Sequence, residues 1–412
     1  MNTPSSSRDG NDGQQAAVEA TARILLLLTL FQMILPLTID VSLPALPLLQ
    51  QSFGATQAGI QSTIAAFFAT FGIFQLFWGP ASDRFGRKKP ALSGVFLFVL
   101  GSIGCVISSS VQFLTWARVA QAMGSCAMMV IGSAMVRDLY SSPDEEGRTR
   151  SLLLMLASLG PICGAFVGGQ VVKLAGAHAV FVLQAAIGTL ILLLILMTPE
   201  TLRLALRSKQ SALAMLGTYA RVLRSRAYLG YALSGALMIA SMLVYLTASP
   251  FIFIEYFKVP ATSYGLYTGA IALSMALMSM LGRHLIRKVG ARLLLRTGIV
   301  VGMAAMVTLI LVTSGDSIAL AVFFVPLFVS VSTIGFTTPN SVALALADLP
   351  DAAGAGAAVF GALAIGLGGA ATSILGALSN GTPRPMMFVM GACCVLALLC
   401  NVFVARSNPG DK

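Results

Sequence analysis

"GPASDRFGRKKPAL", residues 79–92, packs Asp83, Arg84, Arg87, Lys88 and Lys89 into one short stretch of a chain that is otherwise only 10% charged. Apolar runs at 58–79 and 90–109 flank it. Each is long enough to cross a bilayer, which takes about 17–25 residues. A short basic stretch between two such runs reads as a loop joining two membrane helices, and this reading repeats along the chain. Spans fall near 24–47, 58–79, 90–109, 113–136, 151–174 and 178–198, then near 228–254, 264–285, 293–313, 317–345, 353–378 and 384–404. The expectation is an all-α membrane protein of twelve transmembrane helices.

Composition agrees. The 412 residues are 57% hydrophobic, with mean hydropathy +0.87. A soluble domain would carry roughly 25% charged residues. The net charge of +11 does not point to nucleic acid, because the basic residues lie in short clusters between apolar runs rather than on one polar domain. All six cysteines sit in apolar stretches, where a thiol behaves as a small hydrophobe, so neither a disulfide nor a metal site is expected. His178 and His284 stand at loop ends, and no nucleophile, base or metal constellation accompanies them, which argues against an enzyme.

The longest polar stretch, 199–227, holds Arg203, Arg207, Lys209, Arg221, Arg224 and Arg226 and splits the chain six plus six. The expected organisation is a disordered cytoplasmic tail at 1–20, a six-helix bundle at 21–198, a cytoplasmic linker at 199–227, a second bundle at 228–405 and a tail at 406–412. With the N-terminus cytoplasmic, Lys173, Lys258 and Arg384 fall outside and Arg118 falls within a helix. The other 22 of 26 Lys and Arg (26 − 3 − 1) lie on the cytoplasmic side, as the positive-inside rule requires. The loop at 346–352 lacks Lys and Arg and is the weakest point of this topology. The first 20 residues lack an apolar core and are not a signal peptide.

The opening loop has a partner, "GRHLIRKVGARLLL", residues 282–295, in which Val289-Gly290 matches Phe85-Gly86 at an offset of 204 residues. Two halves related by a parallel repeat are a transporter plan, with the substrate site between them near the midplane. The second copy places Arg287 where Asp83 stands, so any electrostatic role of the loop has diverged.

Three local signatures, "GPASDRFGRKKP", "RVAQAMGSCAMMVIGSAMVRD" (118–138) and "SLGPICGAFVGG" (158–169), join a fourth, "IDVSLPALP" (39–47). With these the chain resembles the major facilitator superfamily, and within it the twelve-helix drug:proton antiporters of the Bcr/CflA type, over essentially everything after residue 20. The resemblance implies a cytoplasmic latch of Asp83, Arg84 and Arg87, which stabilises the outward-open state and breaks when the cavity opens inward. Gly79 and Pro80 would end the second helix and Gly86 would permit a tight turn. The plainer reading is that Arg87, Lys88 and Lys89 only anchor topology. In the fifth helix, Gly160, Gly164 and Gly168 recur on one face, with Gly169 beside them, and Pro161 bends the chain. The resemblance makes this the antiporter motif; ordinary small-residue packing alone would also explain the glycines.

Two charges lie inside the spans. Asp40 and Arg118 fall at similar depth in the outer half of the membrane, and intramembrane ionisable groups are functional by default. The resemblance turns helices 1, 4, 7 and 10 toward a central cavity, with Asp40 and Arg118 as the proton-coupling pair, in direct contact or through water. Asp40 could instead bind substrate or hold a helix. Pro36 can bend the first helix, while Pro44 and Pro47 mark its outer end. Cavity candidates are Gln32, Met33, Gln121, Tyr245, Phe336 and Asn340. Some wider relatives carry an acid two turns before Asp40, where this chain has Gln32, which favours neutral, zwitterionic or weakly basic aromatic substrates.

The expected function is export of small amphipathic drugs by proton-coupled antiport in a bacterial inner membrane. Partners are the small-molecule substrate, protons and membrane lipid, with no nucleic acid. The expected state is a monomer driven by the proton gradient without a cofactor. A dedicated exporter of metabolites such as nucleosides or amino acids fits the same scaffold. A transport-inactive receptor or scaffold is the alternative of another class.

Overall fold

The computed structural model describes residues 6–140, 142–207, 212–313, 318–347 and 349–404. Twelve helical spans among them are long and apolar enough to cross a membrane. The first is broken. It comprises α1 (Ser6–Ile39), a 3₁₀ turn at Leu43–Ala45 and α2 (Leu46–Ser52). The next five are α3 (Gln57–Phe85), α4 (Lys88–Val106), α5 (Val111–Leu139), α6 (Pro143–Ala175) and α7 (Ala179–Met197). A short helix α8 (Ala212–Arg224) lies in the linker. The second set comprises α9 (Arg226–Pro250) continued by a π-helical turn, α10 (Ala261–Val289), α11 (Ala291–Val312), α12 (Leu320–Ser332) followed by α13 (Ile334–Leu346), α14 (Ala353–Leu378) and α15 (Arg384–Leu399).

Two local expectations are corrected. Helix α3 does not stop at Gly79-Pro80 but runs through Pro80 to Phe85, since one proline removes one ladder hydrogen bond and can be absorbed by the rest of a long helix. It ends instead at Gly86, whose φ of +88° suits a residue without a Cβ. Pro47 does not close the first span; it sits in the first turn of α2, where a missing N–H costs nothing. The backbone of residues 6–20 is helical and continuous with α1. Residues 1–5 and the C-terminal tail at 406–412 lie outside the described residues.

The two sets of six meet along two seams. Helix α3 packs on α14, where a Cβ at Gly72 would stand 2.8 Å from the Gly366 amide nitrogen and one at Gly369 would stand 2.8 Å from that of Ala69. Helix α6 packs on α10, where a Cβ at Gly265 would stand 2.7 Å from the backbone of Phe166. Small residues let these backbones approach, as membrane helices require in the absence of a hydrophobic drive. At the end of the bundle opposite the 86–87 turn, the hydroxyl of Ser379 donates to Gln61 Oε1 across the seam at 2.7 Å. The halves are therefore in contact at that end.

Candidate functional site

The break in the first span makes the site. Pro44 cannot donate to the Asp40 carbonyl one turn earlier, and the chain turns through residues 40–42 after α1 ends at Ile39. Asp40 sits at this point, 4% exposed, its amide still bonded to Pro36 O at 2.8 Å. Its carboxylate has no hydrogen-bond or ion-pair partner among the described residues.

Arg118 of α5, 1% exposed, bonds to polar groups around that acid rather than to the acid. It donates to Ser42 Oγ at 2.6 Å, to Gln121 Oε1 at 3.0 Å and, more weakly, to Thr38 O at 3.4 Å. Gln121 donates to Gln184 Oε1 at 2.7 Å and to Ser102 Oγ at 2.9 Å, and Gln184 in turn donates to Thr38 O at 2.9 Å. The guanidinium also lies over the Phe181 ring, 5.0 Å from its centroid. Four helices, α1, α4, α5 and α7, are thus tied to the carbonyls that the break leaves free. A buried polar network of this kind rigidifies its surroundings when its members are satisfied. The Nε–H donor of Arg118 has no hydrogen-bond partner among the described residues.

The other side of Asp40 is apolar and close. Glycines 160, 164 and 168 of α6 form a stripe against the first span. A Cβ at Gly160 would stand 2.6 Å from Pro36 Cβ, one at Gly164 would stand 3.0 Å from Asp40 Cβ, and one at Gly168 would collide with the Val41 carbonyl. Gly169 faces the Ala261 carbonyl at the start of α10. Pro161 lies inside α6, which stays helical through it. Across the seam, Tyr245 of α9 is buried with its hydroxyl unpartnered, and both it and Tyr264 of α10 lie within electrostatic reach of Asp40. Tyr264 shares a 2.6 Å hydrogen bond with Ser249.

The remaining cavity candidates separate. Gln32 lines a crevice with Ser133, Val136, Arg150 and Leu153 and donates to Ser133 Oγ at 3.0 Å. Met33 reaches toward Gly160. Gln121 is fully buried in the arginine network. Phe336 packs its ring against Gly298 of α11 and its Cβ against Gly282 of α10, inside the second set of helices. Asn340 is buried and donates to Phe336 O on its own helix at 2.6 Å. A helical face read from sequence cannot tell a cavity wall from a contact between neighbouring helices.

The basic turn holds a second cluster. Arg87, 2% exposed, pairs through Nε with Asp138 of α5 at 2.7 Å and through Nη1 with Asp83 at 2.5 Å, and also donates to Ser82 Oγ at 2.8 Å. The Arg87 and Lys88 amides donate to Glu200 at 2.7 and 3.2 Å, placing a carboxylate on the N-terminus of α4. Partial burial works to raise the Glu200 pKa, but the amides of Arg87, Leu202 and Lys88 and the nearby Arg207 outweigh it and hold it below the ordinary value. Arg84 stands apart, over the neighbouring Phe85 ring, and a Cβ added at Gly79 would meet Val130 only at an ordinary distance. Asp138 and Glu200 were not singled out by sequence; the acid ending "AMVRD" and the one in "PET" after the sixth span were the available signals. Gln184, a lone amide in an apolar run, was the third.

Comparison with known proteins agrees with this architecture. The family model of the Major Facilitator Superfamily matches residues 28–373. The chain is 27% identical to the bicyclomycin resistance protein homolog of Haemophilus influenzae over 395 residues, covering 95% of this chain and 98% of that one. It is 36% identical over 150 residues to the chloramphenicol resistance protein of Pseudomonas aeruginosa, covering 35% of this chain and 36% of that one. A crystal structure of a D-xylose-proton symporter superposes with a TM-score of 0.70 at 16% identity, over 93% of this chain and 98% of that one, a likeness of fold. With the family matched across most of its length and twelve membrane spans in place, the chain belongs to the major facilitator superfamily and is a multi-pass membrane transporter rather than an enzyme.

Proposed function

We propose that the chain is a proton-coupled antiporter that exports small amphipathic drugs from a bacterial cytoplasm across the inner membrane by alternating access. It acts as a monomer with both termini cytoplasmic. The proton gradient drives it and no cofactor is needed. The bundles at 21–198 and 228–405 rock about the site while the linker at 199–227 joins them. The drug-resistance names of its relatives support the substrate class.

The observation that carries the reading is the Asp40 carboxylate, buried at a helix break without a hydrogen-bond or ion-pair partner among the described residues. Burying an unpaired ionised carboxylate costs several kcal/mol even after relaxation, whereas the neutral acid is far cheaper to bury. Closing the halves over Asp40 therefore favours its protonated form, and opening them to water favours release of the proton. Arg118 acts through the Thr38 carbonyl and the Ser42 hydroxyl, holding the break in place, and Tyr245 of the other half lies within electrostatic reach of the acid. Gln32, in place of a second acid, leaves neutral, zwitterionic or weakly basic aromatic compounds as the preferred cargo.

The test is substrate uptake into inverted membrane vesicles with and without a proton gradient, over a panel of drugs, nucleosides and amino acids. Gradient-dependent uptake of amphipathic drugs is expected. Uptake that persists when the gradient is collapsed contradicts antiport.

A further inference from the structure

Helix α8, "ALAMLGTYARVLR", presents three different faces. Val222 is buried and the Tyr219 hydroxyl donates to Leu76 O of α3 at 3.1 Å, so these residues face the bundle. Leu216, Ala220 and Leu223 recur at i, i+4 and i+7 and are exposed, Leu216 by 61%. Arg221 and Arg224 are exposed on the far side of that stripe, with no acidic partner among the described residues. Protein, apolar and basic faces thus follow one another around the helix.

The contact with Leu76 places α8 near the end of α3 that carries the 86–87 turn. Helix α3 has 29 residues and so is about 43 Å long, against about 30 Å of hydrocarbon in a bilayer. The apolar run of this helix at 58–79 has about the length that a bilayer needs, and it ends close beyond Leu76. Ile73 and Phe77, on either side of Leu76, expose large apolar side chains at the same level. The leucine stripe of α8 therefore continues a lipid-facing surface at the hydrocarbon boundary, with guanidinium groups turned toward the headgroups.

We infer that α8 is an interfacial anchor that seats the linker between the two halves in the bilayer surface, with Leu216 and Leu223 in the acyl boundary and Arg221 and Arg224 on anionic phospholipid headgroups. An amphipathic helix with arginines beside its apolar face binds such a surface through both buried area and charge. The inference does not depend on which compound the protein carries or in which direction.

The experiment places a nitroxide on the full chain in nanodiscs, at Leu216→Cys and separately at Arg224→Cys, each in a Cys163→Ser background that removes the exposed native thiol. Collision with oxygen and with a water-soluble nickel chelate is measured in phosphatidylcholine alone and in phosphatidylcholine doped with phosphatidylglycerol. The label at 216 is expected to favour oxygen over the chelate several-fold and the label at 224 to do the reverse. Adding phosphatidylglycerol should deepen the label at 216, and Arg221→Gln with Arg224→Gln should abolish that change. A label at 216 that meets the chelate as freely as the one at 224 overturns the anchor. So does one shielded from both reagents, which would mean a protein partner. Equal depth in the two lipids overturns the role of the arginines.

Discussion

Gly164 of α6 faces Asp40 so closely that a Cβ added to the glycine would stand 3.0 Å from the Asp40 Cβ. One turn on, Gly168 would place its added carbon into the Val41 carbonyl, which is backbone and cannot swing aside. Gly164→Ala is therefore expected to be partly tolerated and Gly168→Ala to cost about 1–3 kcal/mol, the usual range for overpacking. Thermal unfolding of the purified variants beside their transport rates checks the order. Equal behaviour of the two would mean that the stripe does not press on the break.

The arginine network supplies a second expectation. Gln184 and Arg118 share Thr38 O, and Gln184 is neutral. Gln184→Leu should cost about 1–3 kcal/mol by leaving the buried amide of Gln121 and the freed carbonyl short of partners. It should lower Tm without shifting the pH dependence of transport. Arg118→Ala should lower both Tm and transport. A Gln184→Leu protein of wild-type Tm would show that the network does not hold the break.

At the basic turn, the two aspartates should differ. Asp138 is 11% exposed and Asp83 is 37% exposed. Removing one partner of a buried pair costs about 3–5 kcal/mol, whereas solvent screens a more exposed pair. Asp138→Asn should therefore destabilise the protein more than Asp83→Asn. A denaturation series on the two variants decides it, and the reverse order would contradict the assignment of Arg87 chiefly to Asp138.

Much of the fold was legible because span length and loop charge are properties of consecutive residues. The glycine stripe was legible too, since its period of four is written in the chain. The partners of Arg87 were not: Asp138 and Glu200 lie 51 and 113 residues away, and only the packing of α5 and the return after α7 brings them to the turn. The contacts of Gln121 and Phe336 were not legible for a related reason. Each lies on the helix face expected to meet the cavity, but the neighbouring helices of the same half, through Gln184 and Gly298, reach them first.

Glu200 gives a dependence on pH. Its carboxyl is held below the ordinary value of 4.5 in the folded protein, so the stability it contributes is complete above that value and is lost as pH falls through the lower folded one. Glu200→Gln should flatten this acid limb of the stability curve while leaving the neutral region parallel to wild type. An unchanged acid limb would mean that the contacts of Glu200 with α4 add nothing to stability.

The central claim is that Asp40 carries the coupled proton, and the most direct measurement is gradient-driven transport by Asp40→Asn in inverted vesicles, paired with gradient-free exchange of the same substrate. The amide is close in size to the acid, so the variant is expected to fold, to retain exchange and to lose concentrative, proton-driven transport. Wild-type gradient-driven transport by Asp40→Asn would contradict the account.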